Sequence, residues 1–253
     1  MPWENHYQLQ LAKSYEDSAK KIPEQHKHFT NLAIKEYEKL IKKDPMNPWF
    51  KARLGLIYYD LHDKFPKQKA YHKLANDLAE SAMLTDPKNP LFILHYAHFL
   101  YNDNRINEAK KFYHKAVNYD NDLTDAHFNL GAIYFNEDKK EMGIKHLKIV
   151  TEHLDRLEKR HERKPSNETK VKIERYQNAR INVSKYYLNK NQIKDAYKLI
   201  NKIPVSVEKF ELLAFYYERI NQPTTAISIY SQLNQRLDTN KYAEKIKQLK
   251  KIQ

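Results

Sequence analysis

The chain is 253 residues long and carries 45 Lys and Arg against 32 Asp and Glu, a formal net charge of +13. Its 41% apolar and 30% charged content suits one elongated helical array better than two separate globules. Zero cysteines exclude disulfides, thiol catalysis and thiolate metal sites, and without a run of roughly 18 apolar residues no membrane-spanning helix is expected. The start, Met1-Pro2-Trp3-Glu4-Asn5-His6, shows no basic stretch leading into an apolar one, so a cytoplasmic location is expected.

Six helix pairs are predicted from two rows of small residues. The first row is Ala12, Gly55, Ala97, Gly131, Ser184 and Ala214; the second is Ala33, Ala75, Ala109, Gly143, Ala196 and Ala226. All three glycines of the chain fall on these rows. Glycine costs helix stability, so its confinement there points to helices that cross closely. Apolar neighbours recur at helical steps: Leu11, Leu54, Tyr96, Leu130, Val183 and Leu213 stand one residue before the first row. Three residues after it come Tyr15, Tyr58, Leu100, Tyr134, Tyr187 and Tyr217.

The first pair occupies about residues 5–47 and the second 48–89, closing at Asp44-Pro45 and Asp86-Pro87, where proline stops a helix. Their small residues are 21 and 20 apart, against 12 in the later pairs, and the added stretches include Pro23 and Pro66. Helices about one turn longer, roughly 6 Å, are therefore expected in these two units. The third pair spans 90–123, and the fourth 124–176 with a charged insertion at 156–176. The fifth, 177–206, has its second helix cut short near Ile203-Pro204, and the sixth runs over 207–238. Residues 239–253 read as a basic amphipathic capping helix, with Tyr242, Ile246, Leu249 and Ile252 on one face and lysines opposite.

This pattern resembles the tetratricopeptide repeat (TPR) family over about residues 5–238. The family's Leu-Gly-x-x-Tyr stretch is matched by Leu54-Gly55-Leu56-Ile57-Tyr58 and Leu130-Gly131-Ala132-Ile133-Tyr134. Its second-helix alanine, aromatic and alanine are matched by Ala109, Tyr113 and Ala116. The family's early tryptophan is absent, its places holding Gln8, Lys51, Ile93, His127, Arg180 and Phe210. The closing proline gives way to Asn121, Asp155 and Asp238 in later units. The resemblance implies an all-α fold: a right-handed α-solenoid of six helical hairpins with a C-terminal capping helix. It also implies a concave surface, lined by the first helix of each pair, that holds an extended or helical peptide.

On that surface the candidate residues are Lys13, Arg53, His95, His98, Asn129, Asn182 and Lys185. Asparagine both donates to and accepts from a peptide backbone, so Asn129 and Asn182 form a candidate clamp. Arg53, His95, Lys13 and Lys185 would favour acidic side chains or a terminal carboxylate. The two-carboxylate clamp of chaperone-binding family members is not reproduced, since Glu208 and Leu212 stand where its cations would be needed.

A second candidate surface is the basic insertion, with Arg156, Lys159, Arg160, Arg163, Lys164, Lys170, Lys172 and Arg175. Glu158, Glu162, Glu168 and Glu174 are interleaved with them, and interleaved charges dilute the local field. Catalysis has little support: His95 and His98 share a helix face without belonging to His-Glu-x-x-His, and glycine is too rare for a phosphate-cradling loop. No catalytic residue, metal or cofactor is assigned. The reading is a non-catalytic scaffold or adaptor that holds a peptide or helix of another protein, one of acidic character, in its groove. The alternative is a basic adaptor for nucleic acid or an anionic membrane surface, acting through residues 156–176 and the C-terminal lysines.

Overall fold

The computed structural model describes residues 2–65 and 69–251, which hold thirteen α-helices, one 3₁₀ turn and no strand. Met1, Pro66 and Ile252, named above, lie outside the described residues. The chain forms two compact units, Met1–Ala126 and His127–Gln253.

In the first unit α1 (Pro2–Lys21) pairs with α2 (His26–Lys43), α3 (Pro48–Lys64) with α4 (Lys69–Thr85), and α5 (Pro90–Asn102) with α6 (Ile106–Tyr119). Neighbouring pairs join through α2 on α3 and α4 on α5. Both α3 and α5 begin at an Asn-Pro step. The Asn47 and Asn89 side chains accept the N–H of Trp49 and Leu91 at 3.2 and 3.1 Å, while Pro48 and Pro90 occupy a position whose N–H has no helical partner. The core holds Ala12, Ala33, Tyr37, Leu40, Leu54, Tyr58 and Ala75.

α7 (Thr124–Asn136) starts in the first unit and runs into the second. There α8 (Lys140–Arg163) packs on α9 (Asn167–Asn189), α9 on α10 (Ile193–Lys202), and α11 (Val207–Arg219) on α12 (Pro223–Arg236). α13 (Ala243–Lys250) covers α12, burying Tyr242 and Leu249 against Tyr230 and Leu233. The residues added after the fourth small pair lengthen α8 and α9 to 24 and 23 residues, leaving only Lys164, Pro165 and Ser166 between them. α10 has 10 residues and stops ahead of Pro204.

All twelve small-row residues are buried. Glycine is needed where the crossing is tightest: a Cβ on Gly131 would stand 2.7 Å from Leu147 Cγ, and one on Gly143 3.1 Å from the Gly131 carbonyl oxygen. The two rows therefore meet, one helix of a pair against the other. A third row becomes visible in the structure. Asn104, Asp138, Asn191 and Asn221, each seven residues after the first small residue, have positive φ of 57 to 60°. Asparagine and aspartate tolerate this left-handed conformation. In each case the next residue's N–H reaches back five residues to a helix carbonyl, as from Arg105 to Leu100 at 2.9 Å, and ends the first helix of the pair. In the first two pairs Ala19 and His62 hold that place, and their helices α1 and α3 run on to 20 and 17 residues.

Candidate functional site

In the first unit, α1 and α3 flank an open cleft of about 500 Å³ lined by Leu9, Lys13, Glu16, Asp17, Trp49, Phe50 and Arg53. Lys13 and Arg53 thus share one site. Its apolar wall is Leu9, Phe50 and Trp49; Trp49 is 51% exposed and stands edge-on to Phe92, ring centroids 4.8 Å apart. Trp49 is exposed because it sits in the first turn of α3, which Asn47 and Pro48 fix.

Arg53 is anchored rather than loose. One of its terminal nitrogens donates to Glu16, whose other carboxylate oxygen accepts from the Tyr37 hydroxyl at 2.6 Å. Burial raises the Tyr37 pKa, and the Glu16 carboxylate raises it further, so Tyr37 stays a neutral donor. Burial works against the charge on Arg53, but Glu16 outweighs it and holds the guanidinium pKa above its ordinary value. The Arg53 side chain remains 40% exposed, leaving guanidinium surface toward solvent. Glu16 and Asp17 offset Lys13 and Arg53 in formal charge, so apolar contact supplies most of what this cleft offers, and the ions set orientation.

The other groove candidates are engaged in different ways. Burial, and then the nearby charge of Arg53, lower the pKa of His95, with Asp125 opposing, so its ring is neutral at pH 7. His98 packs edge-to-face on Tyr113 of α6, 5.6 Å between centroids, which turns it toward the second helix of its pair. In the second unit Asn129 is buried and its Oδ1 accepts from Arg175 at 3.3 Å. Asn182 is exposed, with its amide donating to the Asn178 carbonyl of its own helix at 2.9 Å. A backbone clamp through these asparagines would have to replace both bonds. Lys185 is exposed and near enough to Glu211 to help lower that carboxylate's pKa, after the larger effects of burial, which opposes, and of Lys241 and Tyr242.

The basic insertion is not uniform. Lys172 pairs with Glu168 at 2.9 Å, and the Arg175 guanidinium lies over the Phe128 ring at 5.0 Å. Arg156, Lys159, Arg160, Arg163, Lys164 and Lys170 are exposed, with Arg156 engaged by an intramolecular partner. The arginine that matters most to this region was not a candidate. Arg180, on α9, is fully buried and donates to both oxygens of Glu158 at 2.8 and 2.7 Å, to Asp155 at 2.6 Å and to the Lys202 carbonyl at 3.0 Å. Its signal in the chain was a charge standing in a slot where the repeat family places a buried tryptophan.

Among the described residues no helix is long and apolar enough to cross a membrane, and no three His, Cys, Asp or Glu side chains gather as a metal site. No family model matches the chain, and no curated protein matches it in sequence. Solved structures do match in fold. PilF of Pseudomonas aeruginosa is 14% identical with a TM-score of 0.59, over 90% of this chain and 92% of that one. PilW, a widely conserved type IV pilus biogenesis factor, is 15% identical with a TM-score of 0.52, over 94% and 98%. Human IFIT1, solved as a dimer with PPP-AAAA, is 16% identical with a TM-score of 0.50 over 90% of this chain and 48% of its own. At such identities the likeness is one of fold, and the fold is that of tetratricopeptide-repeat proteins.

Proposed function

We propose that this chain is a non-catalytic interaction scaffold that holds a segment of a partner protein in the cleft between α1 and α3. The observation that carries the reading is the half-exposed Trp49 beside Arg53, above Leu9 and Phe50. Tryptophan and arginine in a concave, partly apolar setting are the residue types that dominate interface energetics. Trp49 is held at low entropic cost by Phe92 and by the capped start of α3, and Arg53 by Glu16 and Tyr37, so both are preorganised.

An apolar or aromatic side chain of the partner would pack on Trp49 and Leu9. A carboxylate beside it would meet Lys13 and the open part of Arg53, while Asp17 would repel a second acidic group at the far side. The groups presented here bind and orient; none is activated as a nucleophile or a general base.

The test is selection of binders from a displayed random-peptide library on the full chain, followed by titration against a W49A/R53M variant. Selected peptides should bind at least about tenfold more weakly to the variant, with unchanged helicity by circular dichroism. Quenching or shift of Trp49 fluorescence on binding should vanish in a W49F variant, which retains Trp3. Peptides that bind both proteins equally would place recognition elsewhere.

A further inference from the structure

The last turns of α8 present Lys159, Arg160 and Arg163, and Lys164 follows them as the residue that caps the helix, all four exposed in one stripe. Steps of one, three and four put the three helical cations within about 100° of arc and a rise of about 6 Å. Arg156 continues the stripe one turn earlier and is already engaged. The opposite face, with Leu154 and Leu157, is buried against Tyr176 and Ala179 of α9.

Asp155 stands one turn before Lys159, about 40° from it around the helix, and from the chain alone it would dilute the stripe, whereas Glu158 lies about 100° from the nearest of these cations. The structure engages both carboxylates elsewhere. Asp155 and Glu158 are drawn onto the buried guanidinium of Arg180, and Asp155 is bonded a second time by Lys202 at 2.5 Å. None of Lys159, Arg160, Arg163 and Lys164 takes part in a salt bridge among the described residues. Glu162 is exposed but lies about 60° or more around the helix from each of the three helical cations, and the exposed Glu152 shares their face two turns earlier, about 10 Å along the axis.

The surface is also rigid and accessible. Ser166 caps α9 through the Thr169 N–H at 3.2 Å, and the His161 ring bonds the Thr169 hydroxyl at 2.5 Å, which pins the turn that follows the stripe. The carbonyl of Lys202, at the end of α10, meets Arg180, so α9 residues 167–177 and the α8 residues beside them extend past α10.

From this we infer that the α8 stripe is a docking surface for an acidic helical segment of a partner protein, separate from the α1–α3 cleft. Four cations over two turns match carboxylates repeating at i, i+3, i+4 and i+7 on a facing helix. A phosphate backbone fits less well: among the described residues no large exposed aromatic stands beside the stripe for base stacking, and the exposed Glu162 and Glu174 on the same hairpin would oppose a continuous polyanion. An anionic membrane needs apolar groups to insert, and among the described residues this hairpin exposes only Val171 and, in the first turn of α8 at the other end of that helix from the stripe, Met142 as large hydrophobics.

Three labelled probes decide the matter with the full chain: a designed helical peptide with glutamates at that spacing, a mixed-sequence single-stranded RNA, and phosphatidylserine vesicles. The glutamate peptide should bind most tightly. Its Kd should rise about tenfold in K159Q/R160Q/R163Q/K164Q and further in the fourfold glutamate variant, and should rise with salt in the parent. R53M should leave this binding unchanged while it weakens the cleft peptides. Melting temperatures verify folding, and the glutamine variant carries the test if the glutamate variant unfolds. The inference is overturned if the peptide binds the glutamine variant as tightly as the parent, or if RNA or vesicles bind the parent at least as tightly as the peptide does.

Discussion

Arg53 and Arg180 sit on the first helices of their pairs, α3 and α9, and both are tied to carboxylates, yet they do opposite work. Arg53 meets one carboxylate, Glu16, and keeps 40% of its side chain exposed along the α1–α3 cleft. Arg180 is wholly enclosed by Glu158, Asp155, Gln177 and the Lys202 carbonyl. Helix length makes the difference. α8 is long enough to bring Asp155 and Glu158 across from Arg180, and α10 is short enough that its last carbonyls end there. An arginine with every face occupied is a strut between three helices; one with a face left open can recognise a partner. The strut also has a remote effect, because it engages Asp155, one turn before Lys159 on α8, and leaves that cation exposed.

Removing each arginine should separate the two roles. R180M leaves Glu158 without its counter-charge and Asp155 with Lys202 alone, and should cost roughly 2 to 3 kcal/mol in denaturant unfolding. That is below the roughly 3–5 kcal/mol of a fully buried pair, because these carboxylates are 35% and 28% exposed. A loss below about 0.5 kcal/mol, the usual range for a surface change, would make Arg180 no strut.

Part of that difference depends on pH. Burial raises the Asp155 pKa, but its bonds to Lys202 and Arg180 outweigh burial and bring it below the ordinary 3.8. A carboxylate with a depressed folded pKa stabilises fully above its unfolded value and loses that contribution as pH falls through the folded one. The gap between parent and R180M should therefore hold above pH 3.8 and narrow below it. A gap that widens on acidification would show that Asp155 is not held ionised by this network.

Y37F removes a buried donor to Glu16 and should cost about 1 kcal/mol, read as a lower thermal midpoint. R53M should be smaller still in stability, under about 1 kcal/mol, as for a partly exposed ion pair. It should nonetheless weaken the peptides selected on the α1–α3 cleft. If R53M destabilises as much as R180M, the two arginines are alike and the cleft loses its charged anchor.

Much of the repeat was legible in the chain, because close helix crossing demands small side chains at positions set by helical periodicity alone. All twelve small-row residues are buried, and the apolar positions flanking them are buried or half-buried. The row Asn104, Asp138, Asn191 and Asn221 was equally available, since it states in residue types where the first helix of each pair must turn left-handed and stop. The candidate sites were less legible. Lys13 and Arg53 share a cleft, but Trp49, which completes it, owes its exposure to how α3 starts and how Phe92 supports it. His95 is neutral because of what surrounds it, and Asn129 is taken up by Arg175, 46 residues away in the chain.

The chain by itself determined the helix pairs, their crossings, their turns and the cap over α12, all of which rest on contacts between residues near in sequence or at fixed spacing. The tertiary structure decided which charges are spent inward and which face outward. That depends on the relative lengths of packed helices, which place a carboxylate, a carbonyl or nothing opposite each cation, and no single helix carries that information.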